Sequence, residues 1–416
     1  MEKAMNIKDL RISGTRLRGT LEEMAKIGAT PNGGVQRLAL SDEDKQAREL
    51  FVTWLKEIGC EITIDEMGNI FGTRKGKDNS LSPVISGSHL DSQPKGGRFD
   101  GILGVMGALE VLRTLHENEV QTERPIVIVD WTNEEGSRFA PAMVSSGVWA
   151  GKLDRNWAYD RTDIRGKKQG DELERIGYKG TEPCEAFPFH AYYEYHIEQG
   201  PILEQLGKTI GAPKGILCLH WYDIYLEGTA NQVGPTPMAG RNDALVAAAE
   251  MIQTVNKTAH IMGNMVATVG EIQNYPNSRN IIPDGVHFTV DIRSWKDNHA
   301  VRVWELMKKE FQAIAERHGT PIRIEETWRV RHAPFDENLV QRVLKTAEEL
   351  GYSSHYMVSG AGHDASYMNQ LNPTAMIFVP SIGGRSHVEV ERTSWEDCEA
   401  GANVLLHCML KSAMEK

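Results

Sequence analysis

Three residues able to hold a metal fall within SGSHLDSQPKGGRFDG, residues 86–101: His89 and Asp91 in an HxD pair, then Asp100. Further on, TNEEGSRF sets Glu134 beside Glu135, and His196 and His387 follow in HIEQG and GGRSH. Imidazole nitrogen and carboxylate oxygen are ordinary ligands of divalent transition metals. A metal held this way acidifies bound water, so the chemistry within reach is hydrolysis. No single member carries that reading. Of 14 histidines, His116, His260, His299, His318 and His407 sit in helical patterns and read as packing or solvent-facing residues. An adjacent glutamate pair alone reads as a solvated helix face. The argument rests on the set, because each member follows or ends an apolar run, as residues placed at strand ends would.

The runs that must position them are legible. PVISGSH (83–89) and PIVIVDW (125–131) read as buried strands, with a Gly- and Ala-rich helix from Gly101 to Leu115 between them. This alternation predicts an α/β layer with a mostly parallel sheet, whose sites lie at the strands' C-terminal ends. Ahead of it, residues 41–58 predict an amphipathic helix capped by Ser41, and EITIDEMGNIFGTRKG predicts a hairpin around Met67-Gly68-Asn69. Residues 152–190 are polar and aperiodic, read as loop and surface helix. AYYEYHIEQG (191–200) is a strand carrying His196, followed by a helix opening on Pro201. From Gly215 to about Arg329 the order becomes strand, helix, strand, strand, helix, strand, a complete split β-α-β-β-α-β unit, which predicts an inserted ferredoxin-like domain. Beyond it come a helix at 337–350, the Gly-rich turn SGAGHDA (359–365), a strand at 374–381 and a closing helix from Trp395 to Met409. The expected division is 1–212 and 331–416 for the catalytic domain and 213–330 for the insertion.

Composition narrows the classes. At 416 residues, with 40% hydrophobic and 25% charged residues, the chain can bury substantial cores. A net charge of −11 without long like-charge blocks argues against a nucleic-acid or anionic-membrane surface. The N-terminal MEKAMNIKDLRISGTRLRG has charges throughout and does not read as a secretory signal, and no apolar run approaches a membrane span. Cys60, Cys184, Cys218, Cys398 and Cys408 are odd in number and form no CxxC pair, which fits a reducing cytoplasm rather than a disulfide framework. KGGRFDG is too short and acidic for a phosphate loop.

Taken in order, GSHLDSQPKGGRFDG, TNEEGSRF, HIEQGP, TPMAGRNDA, SRNIIP, DIRS, SGAGHDA and GGRSH resemble the di-metal aminopeptidase and aminoacylase superfamily, most closely its hydantoinase/carbamoylase amidase branch. That branch includes N-carbamoyl-L-amino acid hydrolases, β-ureidopropionases and allantoate amidohydrolases. The resemblance spans about residues 35 to 410. It implies a homodimeric metal-dependent amidohydrolase cleaving the carbamoyl C–N bond of a small ureido carboxylate, with an N-acyl amino acid hydrolase, a di-metal peptidase or a non-catalytic metal-binding relative as alternatives. It further implies that Asp100 bridges two divalent ions, zinc first with manganese, cobalt or nickel as alternatives. His89 and His196 would complete one coordination sphere and Glu135 and His387 the other. Glu134 would be the general base, and the Asp91 carboxylate would hold the other nitrogen of His89. Gln199, Asn280, Arg293 and Gly362 match substrate positions, and the insertion is expected to dimerise and close as a lid. Two features depart from the family pattern. Gln232 in NQVGPTPM stands where a histidine helps stabilise the oxyanion, so that either Gln232 substitutes at reduced strength or another group takes the role, and VEVERT after His387 leaves that ligand's support open. His220 is a candidate pocket residue, weighed equally against an inward-facing histidine on a lid strand.

Overall fold

A computed structural model describes residues 7–416. The first six residues, part of the N-terminal stretch read as lacking a secretory signal, lie outside the described residues. The chain forms two compact units: Met1–Gly215 with Pro334–Lys416, and Ile216–Ala333.

The strands in chain order are β1 (Glu61–Ile64), β2 (Ile70–Arg74), β3 (Val84–Ser88), β4 (Ile126–Asp130), β5 (Ala191–Ile197) and β6 (Ile210–Ile216); β7 (Cys218–Glu227), β8 (Met265–Thr268), β9 (Ile272–Tyr275), β10 (Gly285–Ser294) and β11 (Ile322–Val330); then β12 (Ala333–Pro334), β13 (Ser354–Ser359) and β14 (Thr374–Val379). The large sheet runs β1-β2-β4-β3-β5-β14-β6-β12, with β13 paired to β6. Its centre, β4-β3-β5-β14, is parallel, whereas β1 and β2, β2 and β4, and β14 and β6 pair antiparallel. The sheet is therefore mixed rather than mostly parallel. A tight turn at Met67-Gly68-Asn69 can only join antiparallel neighbours, so the expected hairpin itself sets that edge. The central strands are buried along their whole length, as strands covered on both faces must be. The helix Ile102–Glu117 packs against β3 and β5 and against the closing helix Trp395–Ala413.

Ser41 caps the helix Asp42–Glu57 by accepting the Asp44 N–H at 3.1 Å, as the sequence predicts. The polar stretch after residue 152 holds two short helices, Arg155–Tyr159 and Gln169–Ile176, joined by loops.

In the second unit an antiparallel sheet, β11-β7-β10-β8 with β9 also on β10, carries the helices Ala244–Met262 and Asp297–His318. The strand expected after the first helix is split into β8 and β9. Alternation on β10 turns Val286, Phe288, Val290 and Ile292 into a core with Ala247, Met251, Trp304, Met307 and Phe311, leaving Asp291 and Arg293 on the other face.

Candidate di-metal centre

Because β4, β3, β5 and β14 are parallel, their C-terminal ends share one edge of the sheet. His89 follows β3, Glu134 and Glu135 follow β4, His196 sits near the end of β5, and His387 lies in the loop beyond β14. These residues converge into two groups whose ligand atoms lie within 4.8 Å of one another: His89, Asp100 and His196, and Asp100, Glu135 and His387. Asp100 divides its oxygens between them. Its Oδ1 lies 3.1 Å from His196 Nε2 and 3.7 Å from His89 Nε2, and its Oδ2 lies 3.3 Å from His387 Nε2. Glu135 Oε2 stands 3.4 Å from the same His387 nitrogen.

The ring orientations are set behind the site. His196 Nδ1 donates to the carbonyl of Ile197 at 2.9 Å, and His89 Nδ1 to the carbonyl of Asp91 at 2.9 Å, so each Nε2 lone pair faces inward. The support for His89 is therefore the Asp91 main chain; the nearer carboxylate oxygen is 3.9 Å away. That carboxylate has another task. Its Oδ1 accepts the N–H of Glu134 at 3.1 Å and its Oδ2 the N–H of Glu135 at 3.2 Å. One residue thus holds a ligand histidine by its carbonyl and the glutamate pair by its side chain. Gly101 starts the helix after Asp100 at φ 69°, and a Cβ there would come within 2.4 Å of the His89 ring, so only glycine fits.

A deeper network joins the two ligand loops. Asp130 Oδ1 accepts the Leu90 N–H at 2.9 Å, and Asn69 Oδ1 the Thr132 N–H at 3.0 Å. Fully buried Arg48 bonds Asp44 at 2.9 Å, the Gly68 carbonyl at 2.8 Å and Thr132 Oγ1 at 3.2 Å.

Electrostatically the pocket is short of positive charge. Burial first, then the charges of Asp364, Glu135, Asp91 and Asp100, push Glu134 well above the carboxylate range. Burial and Asp100 lift Glu135 to about 7. Burial opposes charge on His196 and His387, but the hydrogen bond of each to Asp100 raises both to about 9, while burial lowers His89 to about 4. Inward Nε2 lone pairs, one carboxylate facing two groups, and crowded buried acids form a donor set that fits two divalent cations.

Glu134 is buried, with Oε2 3.4 Å from His89 Nε2, beside the ligands without belonging to either group. Gln199, at φ 61°, places Nε2 2.7 Å from Asp100 Oδ2 and 3.3 Å from His387 Nε2. Gly362 lies just after β13, where an added Cβ would crowd the Met143 methyl at 3.1 Å. Its neighbours were passed over in the sequence. His363 packs its ring 4.6 Å from that of His196 and bonds Ser359 Oγ at 3.1 Å, and Asp364 bonds Ser146 Oγ. Glu194, two residues before His196 in β5, accepts from Ser88 Oγ and the Ala365 N–H at 2.9 Å each; an acidic residue amid the tyrosines of that strand was its signal. Glu391, within the VEVERT segment whose departure from the family pattern left the support of His387 open, is buried beside Asp100.

Gln232, Asn280, Arg293 and His220 belong to the second unit. Gln232 is exposed and its Oε1 accepts the Gly234 N–H. Asn280 accepts from Ser278 Oγ at 2.9 Å, and Arg293 pairs with Asp291 at 2.8 Å. His220 is fully buried on the helix-covered face of β7, with Nε2 accepting from Arg329 Nε at 3.2 Å. It forms a third potential ligand group with Cys218 and Asp297, its Nε2 lying 3.6 Å from Asp297 Oδ1.

Residues 85–411 match the peptidase family M20/M25/M40. An N-carbamoyl-L-amino-acid amidohydrolase from Rhizobium meliloti is 46% identical over 406 residues, covering 97% of this chain and 97% of the relative. An N-carbamoyl-L-amino acid amidohydrolase from Geobacillus stearothermophilus is 35% identical over 409 residues, covering 97% and 99%. The crystal structure of a hydantoinase/carbamoylase family amidase from Burkholderia vietnamiensis is 48% identical with a TM-score of 0.93, covering 98% of this chain and 99% of that one. With its ligand set at the strand ends and these likenesses along nearly its whole length, the chain belongs to the M20-like hydantoinase/carbamoylase amidases and is a hydrolase of C–N bonds other than peptide bonds.

Proposed function

We propose that the protein hydrolyses the carbamoyl C–N bond of an N-carbamoyl amino acid or a closely related ureido carboxylate. The observation that carries this reading is the Asp100 carboxylate, whose two oxygens face separate ligand groups. His89 and His196 would hold one cation with Asp100, and Glu135 and His387 the other; zinc is the first choice, with manganese, cobalt and nickel as alternatives. Bound there, the pair would supply Lewis acidity, lowering the pKa of water and polarising the ureido carbonyl. Glu134 takes the proton of the attacking water and returns it to the leaving nitrogen. A carboxyl whose proton affinity burial has raised is better suited to accept and return a proton than an ordinary exposed carboxylate. The substrate and one water become the free amine, carbon dioxide and ammonia.

Gln199, Asn280, Arg293 and Gly362 are assigned to substrate, with the Arg293 guanidinium pairing the substrate carboxylate bidentately. Gln232 replaces the oxyanion-stabilising histidine. Its Oε1 is engaged by the Gly234 N–H, which leaves the Nε2 hydrogens to donate. The second unit is read as ferredoxin-like, which its strand order and two helices support, and by the family resemblance as the lid through which the protein would dimerise. A cytoplasmic setting suits five free, buried thiols.

The test is ammonia release by the zinc-reconstituted protein from N-carbamoyl-L-amino acids, N-carbamoyl-β-alanine, allantoate, ureidoglycolate and N-acetyl amino acids, beside Glu134→Gln. Ureido hydrolysis falling about 10²–10⁴-fold in the variant, with both metals retained, is the expected result. Amine release from acetyl compounds without ammonia moves the enzyme to the acyl hydrolases. No turnover of any compound by a protein holding two metals overturns the reading.

A further inference from the structure

We propose that Glu391 is the positioning residue of the shared ligand, latching the loop that carries Asp100 to the loop that carries His387. The proposal rests on the reading of Asp100 and His387 as metal ligands. Glu391 lies four residues beyond His387 and is 2% exposed. Its Oε1 accepts two consecutive backbone N–H groups, those of Phe99 and of Asp100 itself, at 3.0 Å each. Its Oε2 lies 2.8 Å from Ser386 Oγ, and the same hydroxyl lies 2.7 Å from Asp100 Oδ2. One carboxylate therefore reaches Asp100 twice, directly at its main chain and by way of the Ser386 hydroxyl, whose single proton the Glu391 and Asp100 oxygens share. Ser386 is also the residue before His387, so the latch sets the spacing between a ligand common to both groups and a ligand of the second group.

Two further observations point the same way. A Cβ at Gly97 would sit 2.0 Å from Glu391 Oε1, so the second glycine of KGGRFDG is the opening through which the carboxylate reaches the amides. Among the described residues no lysine or arginine forms an ion pair with Glu391, although a buried carboxylate ordinarily requires a cation.

The test uses the full-length protein, stripped of metal and titrated with Zn²⁺ against a chromophoric chelator, and separately with Co²⁺ followed by its visible ligand-field bands. Glu391→Ala is expected to bind the first equivalent as wild type does and the second about 10–100-fold more weakly, with altered cobalt bands for that equivalent. Glu391→Gln can still accept both amides through Oε1 and donate to Ser386 through Nε2, and recovers at least half of the loss on a logarithmic scale. A role in folding alone would shift the melting temperature of the metal-free protein and leave the cobalt bands alone. Should Glu391→Ala not fold, Ser386→Ala, which cuts only the side-chain arm, carries the test with a smaller loss in the same equivalent. Wild-type binding of both equivalents with no change in either variant overturns the latch. Fewer than two equivalents bound by wild type overturns the two-metal reading itself.

Discussion

Replacing Asp91 by asparagine separates the metal-free from the metal-loaded protein. In the metal-free site burial first, then the charges of Asp44, Glu135 and Asp130, raise the Asp91 carboxyl well above its ordinary range, which favours its neutral form. An asparagine amide is close to isosteric with that neutral acid, and the metal-free melting temperature should move by only a few degrees. Two cations nearby favour the ionised carboxylate, which accepts the Glu134 N–H on one oxygen and the Glu135 N–H on the other. Asparagine offers one acceptor and turns an NH₂ toward the second N–H, so one charge-assisted bond is lost. Such a bond is worth about 1.5–3 kcal/mol, which converts to roughly 10–150-fold in zinc affinity at the group containing Glu135. Zinc titration with a chelator indicator, combined with melting curves with and without zinc, measures both quantities. Unchanged affinity, or a metal-free protein destabilised as much as the loaded one, would refute the assignment of Asp91 to the glutamate pair.

Two further outcomes follow from the same geometry. With His196 and His387 raised to about 9 and Glu135 to about 7, the metal-free site is protonated at neutral pH, so zinc uptake should release protons and tighten as pH rises from 6 toward 9; calorimetry in buffers of different ionisation enthalpy reads the number released, and a buffer-independent heat counts against this charge state. Gln232→Ala should lower kcat by about 10²–10³-fold with KM little changed, as loss of an oxyanion donor does, and a change in KM alone would make Gln232 a binding residue instead.

The sequence was readable where a side chain and its local period carry the information. His89, Glu134, Glu135 and His196 follow or end runs whose burial pattern alone announces strands, and strands of an α/β layer put such residues on one edge. What it could not show depends on contacts between distant segments. Glu391 sits among Val388, Glu389, Val390 and Arg392 and has the pattern of a solvated strip, yet it is buried because Gly97, far off in sequence, leaves room for it. Asp91 was assigned to His89 by the family resemblance, but the two residues meet through a carbonyl, which every residue possesses, and the carboxylate is free to hold a loop from the neighbouring strand. The mixed sheet was missed for a similar reason. The hairpin was legible, but nothing local indicates that it docks on β4.

Backbone conformation completes the account of why the site needs so much support. Asn133, immediately before Glu134, Gln199, three residues after His196, and His387 itself all lie in the left-handed region, at φ 58°, 61° and 58°. Residues other than glycine held in sparsely populated backbone regions cost about 1–3 kcal/mol each and persist only where their surroundings over-determine them. The contacts that could do so are here. Asn133 Nδ2 donates to the Phe139 carbonyl at 2.8 Å, the Gln199 N–H bonds Ser381 Oγ at 3.0 Å, and His387 faces Asp100 and Glu135. Only the last of these tethers joins groups that would themselves be metal ligands. The His387 loop therefore owes its conformation in part to the cluster it serves, which makes it the ligand segment most dependent on bound metal and the natural place for a latch four residues further on.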